Sequence, residues 1–571
     1  MMPTPARTGI PVYRYLAQRF YREDVRAVFV LTGDGNMYWD AVLAEYPDVR
    51  SIHVRHEHCA VSMALAYAQK SGRLGVASVT CGPGLTQTMT ALATAAAARI
   101  PLLMLAGEGP LHSPWYNQGI DQAPLVRATG AEYIQVHSLA TLPRLVTQAF
   151  YLARAERRPV VLGVPMDLQQ EMIDIDEHPV GAEDGIGRLP DAGSRLPHPE
   201  YIRRAAQRVR SATRIVVLAG RGATAKDATD ACVELAELCD AALATTLPVR
   251  GLFAGHPRSI GVAGGFSHAV TREVFDRCDL VIAVGASMTS FTTNSGQLID
   301  PQRVLQLDDS PGGLRHARAV ASSHVGADAA AGVRALFDEL TGQGFTGDGG
   351  WDVASYASRV RAEPADRTAY DIKDGYLDPR SVIEVFDRLV PRDWEHVNAA
   401  GHCGYFATHM HDVPAAHFLT IREFGAVGNG ISYAAGVAIA RPGSPVILVE
   451  GDGGVMMHVQ ELETLQRYGL KILICVLNDG AFGSEVHKLR AAGLADRGAT
   501  YGRNDIARVA RGFGLRGLTI RQIEDIPPAL EEFASGSQSM LLDILVSDSV
   551  MSPGMNRRVG GILPARRGAI G

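Results

Sequence analysis

Short apolar runs alternate along this chain with longer stretches in which apolar positions recur every three or four residues. The clearest case is 446–480, VILVEGDGGVMMHVQELETLQRYGLKILICVLNDG. Its apolar run at 446–449 reads as a strand, Gly451, Asp452, Gly453 and Gly454 as a turn, and Val459, Leu462 and Leu465 as the inward face of a helix ending at Gly469. A second run at 472–477 reads as another strand, stopping at Asn478, Asp479 and Gly480. Strands joined in this way are parallel, so their carboxyl ends share one edge. The turns carrying Asp452 and Asn478 therefore come out side by side, where doubly wound sheets take ligands.

The same strand, turn, helix plan recurs earlier. A helix at 13–21 precedes a strand at 27–31 that ends in Thr32-Gly33-Asp34-Gly35-Asn36. A strand at 51–55 runs through His56-Glu57-His58 into a helix at 59–69, and a strand at 75–81 runs through Gly82-Pro83-Gly84 into a small-residue helix at 85–98. Strands at 102–106 and 160–164 and a helix at 142–153 complete the first unit. A Gly-, Pro-, Asp- and Arg-rich linker is expected at 177–199, a second αβ unit from the strand at 215–219, a second linker at 342–368, and a third unit from near Asp378.

Composition narrows the class. A chain of 571 residues has room for several buried cores, and a net charge of −6 with a pI near 6.3 provides no basic field for nucleic acid or an anionic membrane. No apolar run reaches the roughly 18 residues of a membrane span, and the first residues lack the layout of a secretory signal, so a cytoplasmic protein is expected. The seven cysteines are scattered without a CxxC pair and read as reduced, mostly core thiols.

Candidate chemistry gathers at the turns. Asp452 offers a carboxylate, Asn478 an amide oxygen and Gly480 a backbone carbonyl, a donor set suited to Mg²⁺, and the amides of Gly453 and Gly454 can face phosphate oxygens. A lone Gly-Asp-Gly reads equally as a βα turn without a ligand, but the Asn at matching depth on the next strand weighs against that. Asp34 stands at a sheet edge, where its residue chemistry alone favours an Asx-type turn or helix cap. Glu57, at a strand end before an Ala-rich helix, is expected to be partly buried and to need a specific partner. His56 reads as a packing residue and His58 as a cap neighbour, although either imidazole also has the chemistry of a ligand or acid. His112 and Trp115, in the irregular stretch 111–122, read equally as substrate contacts or solvated loop.

At these residues the chain resembles the thiamine diphosphate (ThDP) enzymes, specifically their acetolactate (acetohydroxyacid) synthase-like and 2-oxo acid decarboxylase branch. The Asp452…Asn478 pair matches the GDG…N motif, with Asp479 where many members have a second Asn, and Arg55-His56-Glu57 matches the R-H-E motif. Thr80-Cys81-Gly82-Pro83-Gly84 resembles T-S-G-P-G, and Asn117-Gln118 falls where the family has Phe-Gln. The resemblance implies an α/β fold of three doubly wound parallel-sheet domains: a pyrimidine-binding domain at 7–176, a central domain at 200–341 and a pyrophosphate-binding domain at 375–550, with a tail at 551–571.

It further implies that Glu57 bonds the cofactor's pyrimidine and so promotes proton loss from the thiazolium carbon. Gly82, Pro83, Gly401, His402, Gly425, Val427, Asp452, Gly453, Gly454, Asn478 and Gly480 are implied to surround the cofactor, with Mg²⁺ on Asp452, Asn478 and Gly480. Val427 takes the place of the residue that bends the cofactor, and Gln118 and His402 face the reacting carbon. Asp34 lies in a turn resembling the G-D-x-N of pyruvate decarboxylase-like members, where the aspartate helps protonate the product carbon. In the central domain Met288 to Thr293 replaces the R-F-D-D-R run of FAD-binding members, which argues against FAD. Glu57 and Asp452 are implied to meet across subunits, making a homodimer the minimum active unit and a homotetramer compatible.

Two function classes follow. One is an enzyme that cleaves the carbon-carbon bond beside the carbonyl of a 2-oxo acid and joins the fragment to an acceptor carbonyl compound, as acetolactate synthase does, with simple decarboxylation to an aldehyde as its alternative. The other is a non-catalytic paralogue, against which Glu57, Asp452 and Asn478 argue. The altered Asn117 and the 288–293 stretch leave the substrate open.

Overall fold

The computed structural model describes residues 9–175, 193–310, 323–410 and 413–566. The expected limits at 7 and 176, most of the first linker (177–192) and the last five residues of the tail lie outside the described residues.

Apolar runs of β-branched residues bounded by Gly, Pro and Asn form three six-stranded sheets, each parallel throughout. Both faces are covered by helices, which is why inner strands such as Ile472–Asn478 are buried at every position. The N-terminal sheet runs Arg50–His53, Ala27–Val30, Gly75–Val79, Leu102–Glu108, Pro159–Pro165, Glu132–Gln135. Its order reverses between Ala27–Val30 and Gly75–Val79, so the Asp34 and Gly82 turns flank one switch point. The C-terminal sheet has the same order: Phe418–Leu419, Glu395–Asn398, Val446–Gly451, Ile472–Asn478, Met540–Leu545, Arg516–Ile520. There the switch point falls between the strands that lead to His402 and to Asp452. In the central sheet it falls between Ile215–Ala219 and Leu280–Val284, whose following turns pack backbone to backbone, with the Gly285 carbonyl 2.3 Å from where a Cβ on Gly220 would stand.

The outer sheets share one core. Helices Glu57–Ser71 and Gly430–Ala440, buried nearly all round, cross so closely that a Cβ on Gly436 would meet the Met63 carbonyl at 2.2 Å. The runs of Ala in both helices are what permit this approach.

Several elements differ from the sequence expectation. The helix after Asp452 is two, Asp452–Met457 and Glu461–Arg467, because His458 breaks away to bond the Gly428 carbonyl through Nδ1 at 2.9 Å. The helix expected at 85–98 is likewise divided, into Pro83–Thr86 and Met89–Ala98. The second linker contains a helix, Val353–Ala362, capped by Asp352 and paired to the central domain through Arg359 and Glu273 at 2.8 Å. The tail contains the helix Pro553–Arg566. All seven cysteines are free and buried. No helix among the described residues is long and apolar enough to cross a membrane.

Candidate active site

Two clusters form, one at each outer switch point. In the N-terminal domain Glu57 opens its helix with His56 as N-cap, whose ring accepts from the His58 N–H at 3.1 Å. The Glu57 side chain is half-buried, and burial pushes its carboxyl above the usual range. Its Oε1 lies 3.7 Å from where a Cβ on Gly84 would stand. Gly82 has φ 56°, and a Cβ there would be 2.2 Å from the Gln118 carbonyl, so only glycine lets the 111–122 segment close over the Gly82-Pro83 turn. Gln118 Oε1 faces the Cys81 thiol at 3.6 Å and the Tyr116 hydroxyl at 3.5 Å.

Asp34 is exposed, and among the described residues it makes no hydrogen bond that caps its turn. Asn36 closes the turn instead, accepting from the Gly33 N–H at 2.8 Å and donating to the Leu31 carbonyl and to Ser78 Oγ, although it makes no cap bond to the helix that follows. Asp34 stands exposed near Cys81 and Tyr116, both of whose pKa values are raised, first by burial and to a lesser extent by Asp34. Asn117 and Trp115 point to solvent, and His112 is held through its N–H by Asp167 at 3.0 Å.

In the C-terminal domain a cavity of about 60 Å³ is lined by Gly401, His402, Val427, Asp452, Gly453, Gly454 and Asp479, with Phe482 at its rim. Asp452 is 3% exposed, and its Oδ2 accepts from the Gly480 N–H at 3.0 Å. Burial raises its pKa to about 6, and the neighbouring Asp479 carboxyl, hydrogen-bonded to it, is pushed well up by burial and by Asp452 itself. A Cβ on Gly453 would stand 2.5 Å from the Tyr501 hydroxyl and 2.8 Å from the Phe482 ring, so the cradle requires a bare backbone.

Asn478 is fully buried. Its Nδ2 donates to Asp543 Oδ1 at 2.8 Å and to the Asn504 carbonyl at 3.2 Å, while its Oδ1 has no partner. A buried amide oxygen without a partner among the described residues, at the end of the strand next to the one that leads to Asp452, is a hard oxygen donor of the kind a divalent cation takes. The Gly480 carbonyl, expected as a third ligand, instead accepts the N–H groups of Tyr501 at 3.1 Å and Gly502 at 3.0 Å. His402 is buried, with its pKa held well below the ordinary value, and its Nε2 accepts from the Ser552 N–H at 3.0 Å. It is a neutral imidazole that fastens the tail to the cavity wall.

The clusters are tied within the chain. Arg55 N–H donates to Glu461 Oε1 at 2.9 Å, and His58, its pKa lowered by burial to about 4, meets Asn429 Oδ1 at 2.5 Å and stacks on His458 at 4.8 Å. Yet neither Glu57 nor Gly82 lines the cavity at Asp452. A larger cavity, about 760 Å³, opens by Arg99, Arg157 and Phe424, and shares no lining residue with the Asp452 cavity.

Sequence reasoning passed over Tyr116, which carries no motif, and Glu450. The latter was detectable as a carboxylate inside an apolar strand. It is fully buried, accepts from the Gly430 N–H at 3.3 Å, leaves Oε2 without a partner, and burial pushes its pKa up to about 8. The unfolded chain releases this proton near pH 4.5 and the folded one near pH 8, so wild-type stability falls as pH rises through that window, by up to about 1.4 kcal/mol per pH unit. Glu450→Gln keeps the shape without the titration. Its stability relative to wild type, from urea unfolding, is expected to improve steadily from pH 5 to pH 8, and a constant difference would remove this role from Glu450.

Sequence comparisons identify the family. Models of the thiamine pyrophosphate enzymes match the chain as N-terminal TPP binding domain at 11–125, central domain at 202–336 and C-terminal TPP binding domain at 399–544. Acetolactate synthase 2, chloroplastic, of Zea mays is 26% identical, covering 95% of this chain and 86% of that protein. The probable acetolactate synthase large subunit of Methanococcus aeolicus is 26% identical over 92% and 90%. The putative thiamine pyrophosphate-containing protein YdaP of Bacillus subtilis (strain 168) is likewise 26% identical over 92% and 90%. Matched in order over all three sheets, the chain belongs to the thiamine pyrophosphate enzyme family.

Proposed function

We propose that this protein is a ThDP- and Mg²⁺-dependent enzyme that cleaves the carbon-carbon bond beside the carbonyl of a 2-oxo acid and joins the retained fragment to an acceptor carbonyl compound, in the manner of acetolactate synthase. The observation that carries the reading is the pairing of chemistries at the two switch points: at one Glu57, whose proton affinity burial raises, and at the other Asp452, on the strand next to the one that ends in the unpartnered Asn478 Oδ1. Bound ThDP supplies the electron sink next to the substrate carbonyl. In this reading the chain contributes the rest. Glu57 holds a proton at its carboxyl oxygens against a ring nitrogen, Asp452 and Asn478 hold the cation, Val427 shapes the cavity, and Gln118 positions the substrate. The test is a panel of 2-oxo acids with products read by mass spectrometry, with and without an added acceptor aldehyde.

The same reading takes a homodimer as the active unit. Its support is that the Asp452 cavity is lined by C-terminal residues alone and, at about 60 Å³, falls far below the roughly 300 Å³ or more that small-molecule sites enclose. A second copy's Glu57 face would complete it.

A second product class, aldehyde release, is favoured by one observation: Asp34 is exposed at the sheet edge while the Asn36 side chain closes the turn. If Asp34 hands a proton to the product carbon, part of the flux ends as aldehyde. Asp34→Ala is then expected to slow aldehyde release more than decarboxylation followed with an artificial electron acceptor. An unchanged product ratio would leave Asp34 without a catalytic part.

A further inference from the structure

Val427 lines the Asp452 cavity from the loop at 425–430, so its depth there depends on how that loop is held. Among the described residues Ala426 and Val427 make no hydrogen bond of their own. The ties lie on either side of them. The Gly425 N–H donates to the Arg422 carbonyl at 3.0 Å, and the Gly428 carbonyl accepts from His458 Nδ1 at 2.9 Å. Gly428 has φ 94°, and a Cβ on it would stand 2.8 Å from Met457 Cβ, so the loop lies backbone-close against the end of the helix Asp452–Met457. That helix begins at Asp452, which lines the same cavity.

His458 is itself braced. A carbonyl only accepts, so His458 Nδ1 carries the proton of its bond to Gly428. The ring stacks on His58, with 4.8 Å between centroids and 11° between planes, and meets His56 edge-on at 5.4 Å. His58 donates from Nε2 to Asn429 Oδ1 at 2.5 Å, and Asn429 Nδ2 donates to the Tyr433 hydroxyl at 3.0 Å, which fixes the orientation of that amide. Burial holds the pKa of both imidazoles below the ordinary value, so each ring is neutral and its single N–H is already committed. The chain just after Val427 is thus fastened at two successive residues, by the Gly428 carbonyl and the Asn429 side chain, to two rings that support each other.

We propose that His458 is a positioning residue: by holding the Gly428 carbonyl against the end of the helix that begins at Asp452, its Nδ1–H sets how far Val427 enters the cavity. The inference rests on reading that cavity as the cofactor site, with Val427 in the place of the residue that bends the cofactor. A side chain that bends a bound molecule needs support from behind, because an unbraced loop yields where the ligand resists it. Val427 has a short side chain, so a small retreat of its backbone removes the contact, and a misplacement of about 1 Å costs about 10² in rate. The N–H of His458 gives that support, and the stacked ring keeps the N–H aimed.

Two substitutions in the full-length protein separate the donor from the ring. His458→Phe keeps a ring to stack on His58 and loses the N–H, whereas His458→Asn loses the ring and keeps an N–H at the position of Nδ1. In cofactor-free protein, amide hydrogen exchange followed by mass spectrometry is expected to show lost protection across 425–430 in the Phe variant and wild-type protection in the Asn variant. With ThDP and Mg²⁺ bound, proton exchange at the thiazolium carbon is expected to slow by about ten- to a hundredfold in the Phe variant. The Asn variant should exchange at the wild-type rate, and both should bind ThDP as tightly as wild type. His458→Leu replaces the Phe form if that one misfolds. Wild-type loop protection or wild-type thiazolium exchange in the variant without the N–H would overturn the inference, as would an Asn variant impaired as much as the Phe variant. Wild-type protein that takes up no ThDP would sink the broader reading and the inference with it.

Discussion

Glu57→Gln is expected to yield a folded protein that binds cofactor and metal but turns over about 10² to 10⁴ times more slowly, the usual cost of losing a positioned acid-base group. The substitution is close to isosteric, and Glu57 is the half-buried first residue of a helix whose cap is the His56 ring, so the helix loses nothing it depends on. What changes is the proton. The carboxyl of Glu57 sits where burial raises its proton affinity, which poises it to share a proton with a ring nitrogen, and an amide cannot do this. The decisive measurement is hydrogen-deuterium exchange at the cofactor's thiazolium carbon. Exchange at the wild-type rate in the Gln variant would end the assignment, whatever the turnover.

Asp452→Ala is expected to abolish Mg²⁺-dependent cofactor binding. Asp452 is nearly fully buried, at the switch point of its sheet, and its carboxylate organises the Gly480 turn by accepting that residue's N–H. Without it a cation in the proposed site would lose the carboxylate that links the helix to the neighbouring turn. A ligand present at 100 times its dissociation constant stabilises the folded state by about 2.7 kcal/mol, so the wild type should show a clear thermal shift with ThDP and Mg²⁺ together and the variant little. The ligand-free variant should remain folded, because the substitution also separates two buried carboxylates that disfavour each other's charge. Cofactor affinity equal to wild type in the presence of Mg²⁺ would remove Asp452 from the metal.

Much of this protein was legible before any coordinates, for a local reason. Period-two and period-3.6 patterns, and the Gly, Pro, Asp and Asn that interrupt them, act within a few residues of chain. They therefore located the Asp452 and Asn478 turns on adjacent parallel strands, where the register places them. The Ala-rich stretch after Glu57 likewise read as a helix, although not as one that crosses Gly430–Ala440.

The tertiary structure decided which lone pairs are free, because that depends on atoms far apart in the chain. Tyr501 and Gly502 occupy the Gly480 carbonyl, Asp543 holds Asn478 so that its oxygen is left bare, and Ser552 turns His402 into a fastening. The turn after the strand Ala27–Val30 is closed by Asn36 and not by Asp34, and Ser78 on the adjacent strand gives Asn36 a further partner. Hydrogen-bond competition of this kind is settled by three-dimensional neighbours. Sequence pattern therefore determined where chemistry gathers in this protein, and only packing determined which oxygens and protons are left to perform it.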